Sequence, residues 1–321
     1  MLCTDAARPA VACSPADQIE SRLRDPALRI LGSASTPAGT QGAKLLTLAV
    51  PGAGGRAVLR AKWRALSSAS LTNDPRKELG AYAVAKLFLE PHEYVVPPTA
   101  GHCFAIDQYR AIVDSEAEPM FEELGVRCVF GILSYWLENV DEPEGAREDG
   151  LWSAEGIFDE KLFGTNGAYG KSVADLNLLT YLIHHADAHD HQFLVTKDPR
   201  SPRVYSVDNS IAFQSLKNPM LLFREDWSTL RVPAVSRRSV ARLKRLRERD
   251  FAALAVIEQH RKVGEVLVPI APESLIGPPG DGVRWIGLGL QIGLTDAEIQ
   301  GVRERANALI ANVDRGNVQT F

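Results

Sequence analysis

The residues whose types and spacing could do chemistry are concentrated in the stretch "HADAHDHQF", residues 185–193. It holds three histidines, two aspartates and a glutamine. Imidazoles and carboxylates together can bind a transition metal. Alternatively, one carboxylate can orient a hydroxyl group while an amide and a further carboxylate hold Mg²⁺. The first use predicts a metal-dependent hydrolase and the second a phosphotransferase.

The surroundings of Asp187 favour the second use. Gln192 follows Asp187 by five positions and directly precedes the apolar run "FLV", while Asp208 ends a second strand-like run, "RVYSVD". The catalytic Asp and the metal-binding amide of a kinase catalytic loop have this spacing. A hairpin between Gln192 and Asp208 would bring both side chains to one end, where they can share Mg²⁺ and the transferring phosphate.

The histidines leave a zinc or two-metal hydrolase as an alternative. The pattern H-x-H-x-D-H fails because Ala186 and Ala188 stand where histidines are needed. A His-Asp doublet at His189 needs further histidines on neighbouring helices, and after residue 191 the sequence holds only His260. His184 and His185 are more simply residues of a helix end, where the helix dipole favours them.

A phosphotransferase also needs groups that contact the phosphates. The turn "STPAGTQG" contains Gly39, and its backbone N–H groups could approach a phosphate. Lys62 lies on the predicted third strand, with Arg60 on the same face as a competitor. Glu78 stands in the first turn of the next helix and could hold Lys62. A hairpin glycine, a basic strand edge and a first-turn acid favoured by the helix dipole are the plain alternatives.

Hydrophobic periodicity and turn residues predict the elements that carry these residues. The predicted strands are 28–36, 43–50, 56–66, 94–113 and 126–140, and a helix within 72–90, capped by Asp74 with Pro75 at its first position, separates the third from the fourth. The first lobe is therefore predicted to have the order β-β-β-α-β-β.

The second half is predicted to be mostly helical. Its elements are an amphipathic helix at 172–187, the hairpin around "TKDPRSP", a basic helix at 236–260 and a final helix opened by the capping box of Thr295 and Glu298. The basic helix is explained by an ordinary charged outer face, and docking of an anionic substrate is the alternative. We predict an α+β chain with an N-terminal extension (1–27), an N-lobe (28–140) and a C-lobe (141–321).

Composition limits the partners. With 321 residues, of which 45% are hydrophobic, the chain can bury one large core or two modest ones. A net charge of −4 gives no bulk attraction to nucleic acid, and no apolar run predicts a membrane span. The four scattered cysteines exclude a zinc knuckle and leave disulfides open. We expect a cytoplasmic protein, or a secreted one if a signal peptide has been removed.

Three motifs carry a resemblance to a known family. The segment "VVPPT" after the helix "KELGAYAVAKLF", the loop "DAHDHQFLV" and the segment "VDNSIAF" are similar to motifs of the atypical protein-kinase-like superfamily. That superfamily includes phosphatidylinositol kinases, secreted Golgi casein kinases and HipA-type kinases. The resemblance spans about residues 28–215 and implies a bilobal protein-kinase-like fold.

The resemblance also implies roles for individual residues. They are Lys62 on the ATP phosphates, Glu78 as its partner, Asp187 as the base or hydroxyl-orienting group, His189 as support for the loop, Gln192 and Asp208 as Mg²⁺ or Mn²⁺ ligands, and Ser134, Tyr135 and Trp136 in the hinge that holds adenine. Two positions depart from the family pattern: Ala188 replaces an Arg and Gln192 replaces an Asn. Glutamine keeps the carbonyl oxygen that binds a hard cation and adds one methylene.

The expected function is that of an ATP- and Mg²⁺-dependent kinase, a transferase that phosphorylates a hydroxyl-bearing acceptor, with protein Ser or Thr as the expected acceptor. Lipid, sugar and other small alcohols are alternative acceptors, and AMP could be transferred instead of phosphate. A different class remains as well: an inactive nucleotide-binding pseudokinase or scaffold, which the replacements at Ala188 and Gln192 would favour.

Overall fold

The computed structural model describes residues 2–3, 13–36, 42–51, 58–70, 73–148, 156–198, 200–213, 226–274 and 282–321. The chain forms two compact units. The first comprises Met1–Gly80, Pro98–Glu138 and Ala255–Thr295, and the second comprises Ala81–Pro97, Asn139–Leu254 and Asp296–Phe321. Helices and antiparallel sheets occur together, so the predicted α+β class is confirmed.

The strands are β1 (Leu2–Cys3), β2 (Cys13–Ser14), β3 (Arg29–Ser35), β4 (Lys44–Ala49), β5 (Val58–Ala65), β6 (Thr99–Ala105), β7 (Cys128–Tyr135), β8 (Val140–Asp141), β9 (Phe193–Thr196), β10 (Val204–Ser206), β11 (Ala234–Val235), β12 (Glu258–Val263), β13 (Val266–Ile270), β14 (Val283–Ile286), β15 (Gly289–Ile292) and β16 (Gln319–Thr320). The α-helices are α1 (Ala16–Leu23), α2 (Arg76–Phe88), α3 (Ile106–Ile112), α4 (Pro143–Glu148), α5 (Glu160–Thr165), α6 (Gly167–Leu182), α7 (Arg237–Leu243), α8 (Glu248–Ala252) and α9 (Asp296–Asp314).

A five-stranded antiparallel sheet of order β3-β4-β5-β7-β6 dominates the first unit. The predicted order is confirmed as far as its fourth strand, β-β-β-α-β, with α2 between β5 and β6. One part of the prediction is wrong, because the segment 94–113 is not a single strand. β6 ends at Ala105 and α3 follows directly, burying Ile106 and Tyr109 at helical spacing. The Tyr109 hydroxyl accepts a hydrogen bond of 3.0 Å from Trp63 Nε1.

A second antiparallel sheet of the first unit has four strands in the order β13-β12-β15-β14. Leu267, Leu290 and Ile292 of this sheet belong to the core cluster that contains Phe130 of β7. The prediction of one helix over 236–260 is wrong, because α7 and α8 are separate short helices and the chain forms β12 from Glu258 onward. The turn from β12 to β13 holds Gly264 at φ +61°, a left-handed conformation that glycine adopts without steric cost.

These four strands lie in Ala255–Thr295, which belongs to the first unit, although the sequence predicted one lobe over residues 141–321. The second unit keeps the predicted hairpin, since β9 and β10 pair antiparallel with Phe193 opposite Ser206. The predicted final helix is also present as α9, which begins at Asp296.

Helix α6 lies at the centre of the second unit. It was predicted to be amphipathic, and that is wrong: nearly its whole length from Tyr169 to Leu182 is buried, including Asp175, Asn177 and Thr180. Burial on all sides is possible because the polar side chains have partners. Asn177 Nδ2 donates to the Thr229 carbonyl over 2.7 Å, and Thr180 Oγ1 donates to the Trp227 carbonyl over 2.6 Å.

Cys103 of β6 and Cys128 of β7 form a disulfide, with their Cα atoms 5.6 Å apart. Among the parts of the chain that the structure describes, no helix has the length and apolar character needed to span a membrane.

Candidate active site

The first group of predicted site residues lies where β5 faces the start of α2. Asp74 Oδ1 accepts a hydrogen bond of 3.0 Å from the Arg76 backbone N–H, and this contact helps to begin the helix whose first turn carries Glu78. Lys62 Nζ lies 2.8 Å from Glu78 Oε1. The exposed fractions of the two side chains are 18% and 6%, so the pair is largely removed from water. The predicted contact between Lys62 and Glu78 is therefore present.

The competing cation on this strand is engaged elsewhere. Arg60 Nη2 lies 2.8 Å from Glu138 Oε1, and Arg60 Nε donates to the same oxygen over 3.1 Å. Arg64 is buried and its guanidinium donates to Asn73 Oδ1. Lys62, and not Arg60, is thus the cation bonded to the helix glutamate.

The predicted hinge lies at the C-terminal end of β7, which pairs with β5 and β6 in the same sheet. Ser134 is buried and its hydroxyl accepts from Thr99 Oγ1 over 3.1 Å. Burial raises the pKa of the Tyr135 phenol to about 12, which keeps it protonated. The backbone N–H groups of Tyr135 and Trp136 donate to the carbonyls of Pro98 and Arg60, both over 2.9 Å. These two N–H groups are consequently not available to an adenine ring.

The glycine-containing turn can be followed only in part. Gly39, the predicted phosphate-contacting residue, lies outside the described residues. Gly42, just before β4, has φ +76°, a conformation that favours glycine at the end of this turn.

The second group of site residues lies around the β9–β10 hairpin of the second unit. The Val207 N–H donates to the Gln192 carbonyl over 2.9 Å, so Gln192 is bonded across the hairpin to the residue that precedes Asp208. Asp208 has φ +55° and ψ +48°, and its Oδ1 accepts from Ser210 Oγ over 3.1 Å. A left-handed conformation at a non-glycine residue is uncommon and costs energy, and such positions are enriched at functional sites.

Asp187 contacts two of the residues predicted to work with it. Gln192 Nε2 donates to Asp187 Oδ2 over 3.3 Å, and His189 Nε2 lies 3.8 Å from Asp187 Oδ1. The His191 N–H donates to His189 Nδ1 over 3.2 Å, which leaves the His189 proton on Nε2, facing the carboxylate. With Nε2 of Gln192 directed at Asp187, the amide oxygen Oε1 is the acceptor that remains on this side chain.

Sequence reasoning missed the role of His185. It was assigned to a helix end, but α6 ends at Leu182 and the chain turns at His184, which has φ +42°. His185 is fully buried and its Nδ1 accepts from the Asp187 backbone N–H over 3.3 Å. Burial lowers the pKa of His185 to about 4, and the Asp208 charge opposes that shift. A neutral imidazole therefore fixes the backbone of Asp187. In the sequence, the only indication of this contact is a histidine two positions before the aspartate.

The surroundings of Ala188, and the alternative of a metal cluster, can also be described. Ala188 is buried, and its carbonyl accepts from the Trp227 N–H over 3.4 Å, so a small side chain fits at this position. Within the described ranges, no three His, Cys, Asp or Glu side chains form a group that could hold a metal ion.

The basic helix has the ordinary explanation. Val240 and Leu243 of α7 are buried, and two of the three arginines of this helix pair with carboxylates of the chain. Arg238 lies 3.3 Å from Glu90, and Arg242 contacts the same carboxylate. Lys244, directly after the helix, contacts Asp314. These pairs neutralise much of the positive charge that would attract an anionic partner.

The chain matches none of the models of known protein families with which it was compared, and no curated protein sequence matches it either. The chemical content is thus given by the residues of two groups: in the first unit a lysine bonded to a glutamate, and in the second unit an aspartate bonded to an amide, with an imidazole 3.8 Å away.

Proposed function

We propose that this chain is an ATP- and Mg²⁺-dependent phosphotransferase with a protein-kinase-like fold, acting on a hydroxyl-bearing acceptor. The observation that carries the proposal is the 2.8 Å pair between Lys62 of the third sheet strand and Glu78 of the following helix. Kinases hold their phosphate-binding lysine in this way, with a strand lysine bonded to a helix glutamate. An ion pair that only stabilises the fold could join any two elements, whereas this one joins the third strand to the helix that follows it, as in kinases.

In this proposal each remaining residue has a distinct task. Lys62 contacts the ATP phosphates, Asp187 orients the acceptor hydroxyl, and His189 and His185 hold Asp187 in place. Gln192 Oε1 and the Asp208 carboxylate bind Mg²⁺, because Mg²⁺ prefers hard oxygen ligands and is usually held by one or two protein groups together with substrate phosphates. The bound ion would neutralise phosphate charge. Rate acceleration then comes mainly from fixed charges and orientation.

Protein Ser or Thr is the proposed acceptor. Lipids, sugars and small alcohols are alternative acceptors, and the experiment below distinguishes them. A second candidate is a nucleotide-binding protein without transfer. The observation that favours it is the hydrogen bond from Gln192 to Asp187 Oδ2, because it occupies a carboxylate oxygen that would otherwise accept from the hydroxyl.

The test uses two labelled nucleotides in parallel. The purified chain is incubated with Mg²⁺ or Mn²⁺ and either γ-³²P-ATP or α-³²P-ATP, beside an acidic test protein, a phosphoinositide vesicle and a sugar mixture. Asp187→Asn is the test variant. Arg249→Gln is the control, since the Arg249 side chain is 77% exposed and remote in sequence from the site.

We expect γ-label on the chain or the test protein, absent in Asp187→Asn and retained in Arg249→Gln. Label from the α-position only would instead indicate AMP transfer. ATP-dependent thermal stabilisation without any label would favour the second candidate. A chain that neither transfers label nor is stabilised by ATP would refute both.

A further inference from the structure

The disulfide of the first unit lies where its two larger sheets meet. It joins Cys103, on the edge strand β6 of the five-stranded sheet, to Cys128, the first residue of the neighbouring strand β7. The two cysteines are not directly opposite, since Cys103 pairs with Phe130 and Cys128 with Ala105. The bond therefore crosses the ladder diagonally and closes a loop between residues 25 positions apart.

The closed loop contacts the four-stranded sheet. The Arg127 N–H donates to the Glu265 carbonyl, in the turn before β13, over 2.7 Å. The rings of Phe121 and Trp285 of β14 lie 5.2 Å apart. The disulfide thus constrains a segment that packs on both the first and the last strand of the second sheet.

One sulfur of the disulfide also bonds the second sheet directly. The Leu267 N–H of β13 donates to Cys103 Sγ over 3.1 Å. Leu267 lies opposite Lys262 of β12, and the Lys262 N–H is directed to the other side, to the Leu288 carbonyl. In an antiparallel ladder the N–H groups of such a pair point away from each other. Cys103 Sγ is therefore the acceptor that protects the Leu267 amide.

Reduction would displace this sulfur. Two thiol sulfurs cannot stay at the covalent distance of a disulfide, so one of them has to move. Cys128 is fully buried in the core cluster that also contains Phe130 and Leu267, and close packing leaves it little room. Cys103 is partly exposed on the edge strand. Its side chain is the one that can turn outward, and that movement takes Sγ away from the Leu267 N–H.

We propose that the Cys103–Cys128 disulfide is a redox switch for the contact between β6 and β13, with a dithiol as its reductant. A thiolate of the dithiol attacks the sulfur of the more exposed Cys103, and Cys128 leaves as a thiolate that takes up a proton. The second thiol of the reductant then displaces Cys103 in the same way. Two electrons pass from the dithiol to the protein disulfide, and the reductant becomes a disulfide.

The state of the switch follows the compartment. The contact between β6 and β13 is closed in an oxidising environment and open where thiols are kept reduced. The assignment is independent of the proposed phosphotransferase activity, because neither cysteine has a role there and the test below measures no transfer.

The test compares the oxidised full chain with the same chain treated with dithiothreitol under native conditions. Cys3 and Cys13 are replaced by serine in every sample, so that thiol counts report on one pair alone. Thiols are counted by maleimide labelling and mass spectrometry, and folding is checked by circular dichroism. Amide hydrogen exchange is followed by NMR at Leu267 and, as a control, at Leu290 of β15, a strand that is paired on both sides.

We expect dithiothreitol to release two thiols without a change in circular dichroism. Exchange at Leu267 should become about tenfold faster or more, with no change at Leu290, because only the first amide loses its acceptor. Cys103→Ala removes the acceptor outright and is expected to show the fast exchange without reductant. If that variant does not fold, the oxidised and reduced chains decide alone.

Four results would overturn the proposal. They are free thiols at both positions in the oxidised sample, reduction only when the chain unfolds, native reduction that leaves exchange at Leu267 unchanged, and equal responses of Leu267 and Leu290. The second of these would identify the disulfide as a purely structural cross-link.

Discussion

Breaking the pair between Lys62 and Glu78 is predicted to affect stability and nucleotide binding together. The two charges lie 2.8 Å apart with exposed fractions of 18% and 6%. Removal of one partner from a fully buried pair costs about 3–5 kcal/mol, and the partial exposure of Lys62 lowers that figure to about 2 kcal/mol. We expect Lys62→Met and Glu78→Gln each to destabilise the chain by this amount. The double variant is expected to lose about 2 kcal/mol rather than the sum, because neither charge is then left unpaired.

Nucleotide binding separates a functional pair from a structural one. Lys62→Met is expected to weaken binding of a non-hydrolysable Mg²⁺-ATP analogue by about tenfold or more, because a charge-assisted contact to phosphate is lost. Arg60→Gln is the matched control, since it also breaks a 2.8 Å ion pair on the same strand. Its side chain is more exposed, at 37%, so we expect a loss of roughly 0.5–1 kcal/mol in stability and no change in affinity.

Urea unfolding followed by circular dichroism gives the stability changes, and isothermal titration gives the affinities. Additive losses in the double variant would show that Lys62 and Glu78 are not coupled. If Arg60→Gln weakened nucleotide binding as much as Lys62→Met, the assignment of the phosphate-contacting cation would be refuted.

Three further predictions concern the metal site and the buried histidines. Asp208→Ala is expected to remove the Mg²⁺ dependence of nucleotide binding without unfolding the chain, and unchanged titrations with and without Mg²⁺ would exclude Asp208 from the site. Gln192→Asn keeps the carbonyl oxygen and is expected to retain phosphate transfer, whereas Gln192→Ala should lose about tenfold or more; equal activities would contradict a ligand role. Burial lowers the pKa values of His102 and His185 from 6.5 to about 4, so unfolding takes up protons between these pH values. Stability is then full above pH 6.5 and falls toward pH 4 by up to about 3 kcal/mol per histidine. Ring resonances that titrate near 6.5 in the folded chain, followed by NMR, would count against this.

The elements that the sequence predicted correctly are those whose signals are local. β3, β4 and β5 are separated by turns rich in glycine and proline, and the proline-containing turn TKDPRSP separates β9 from β10. The errors at 94–113 and 236–260 come from a short segment and from non-local pairing, respectively. β12 was taken as the end of a helix, yet it is fixed by β15, whose Gln291 lies opposite Gln259 from far along the chain. α3 is only seven residues long and follows a strand without a break.

The site shows the same division. Asp187 and Gln192 lie within one loop, so their contact is local. The pairing of Lys62 with Glu78 was expected from their positions in the order β-β-β-α and from the resemblance to kinases. His185 could not, because its burial depends on the reversal of the chain at His184. The hydrogen bonds of the Tyr135 and Trp136 backbone N–H groups could not be predicted either, because their acceptors, the carbonyls of Pro98 and Arg60, belong to other segments of the chain.

The contacts of Gln192 explain how a side chain one methylene longer than asparagine could serve as a metal ligand. Immobilising a longer side chain costs additional rotamer entropy when a cation binds. Here Nε2 is already bonded to Asp187 Oδ2 over 3.3 Å, so folding rather than metal binding restricts the side chain. The same bond leaves the amide oxygen as the atom that faces away from Asp187. In the proposed mechanism Gln192 would contact both Asp187 and the ion. Changes at Gln192 are therefore expected to alter transfer and Mg²⁺ dependence together, whereas changes at Asp208 are expected to act first on the metal.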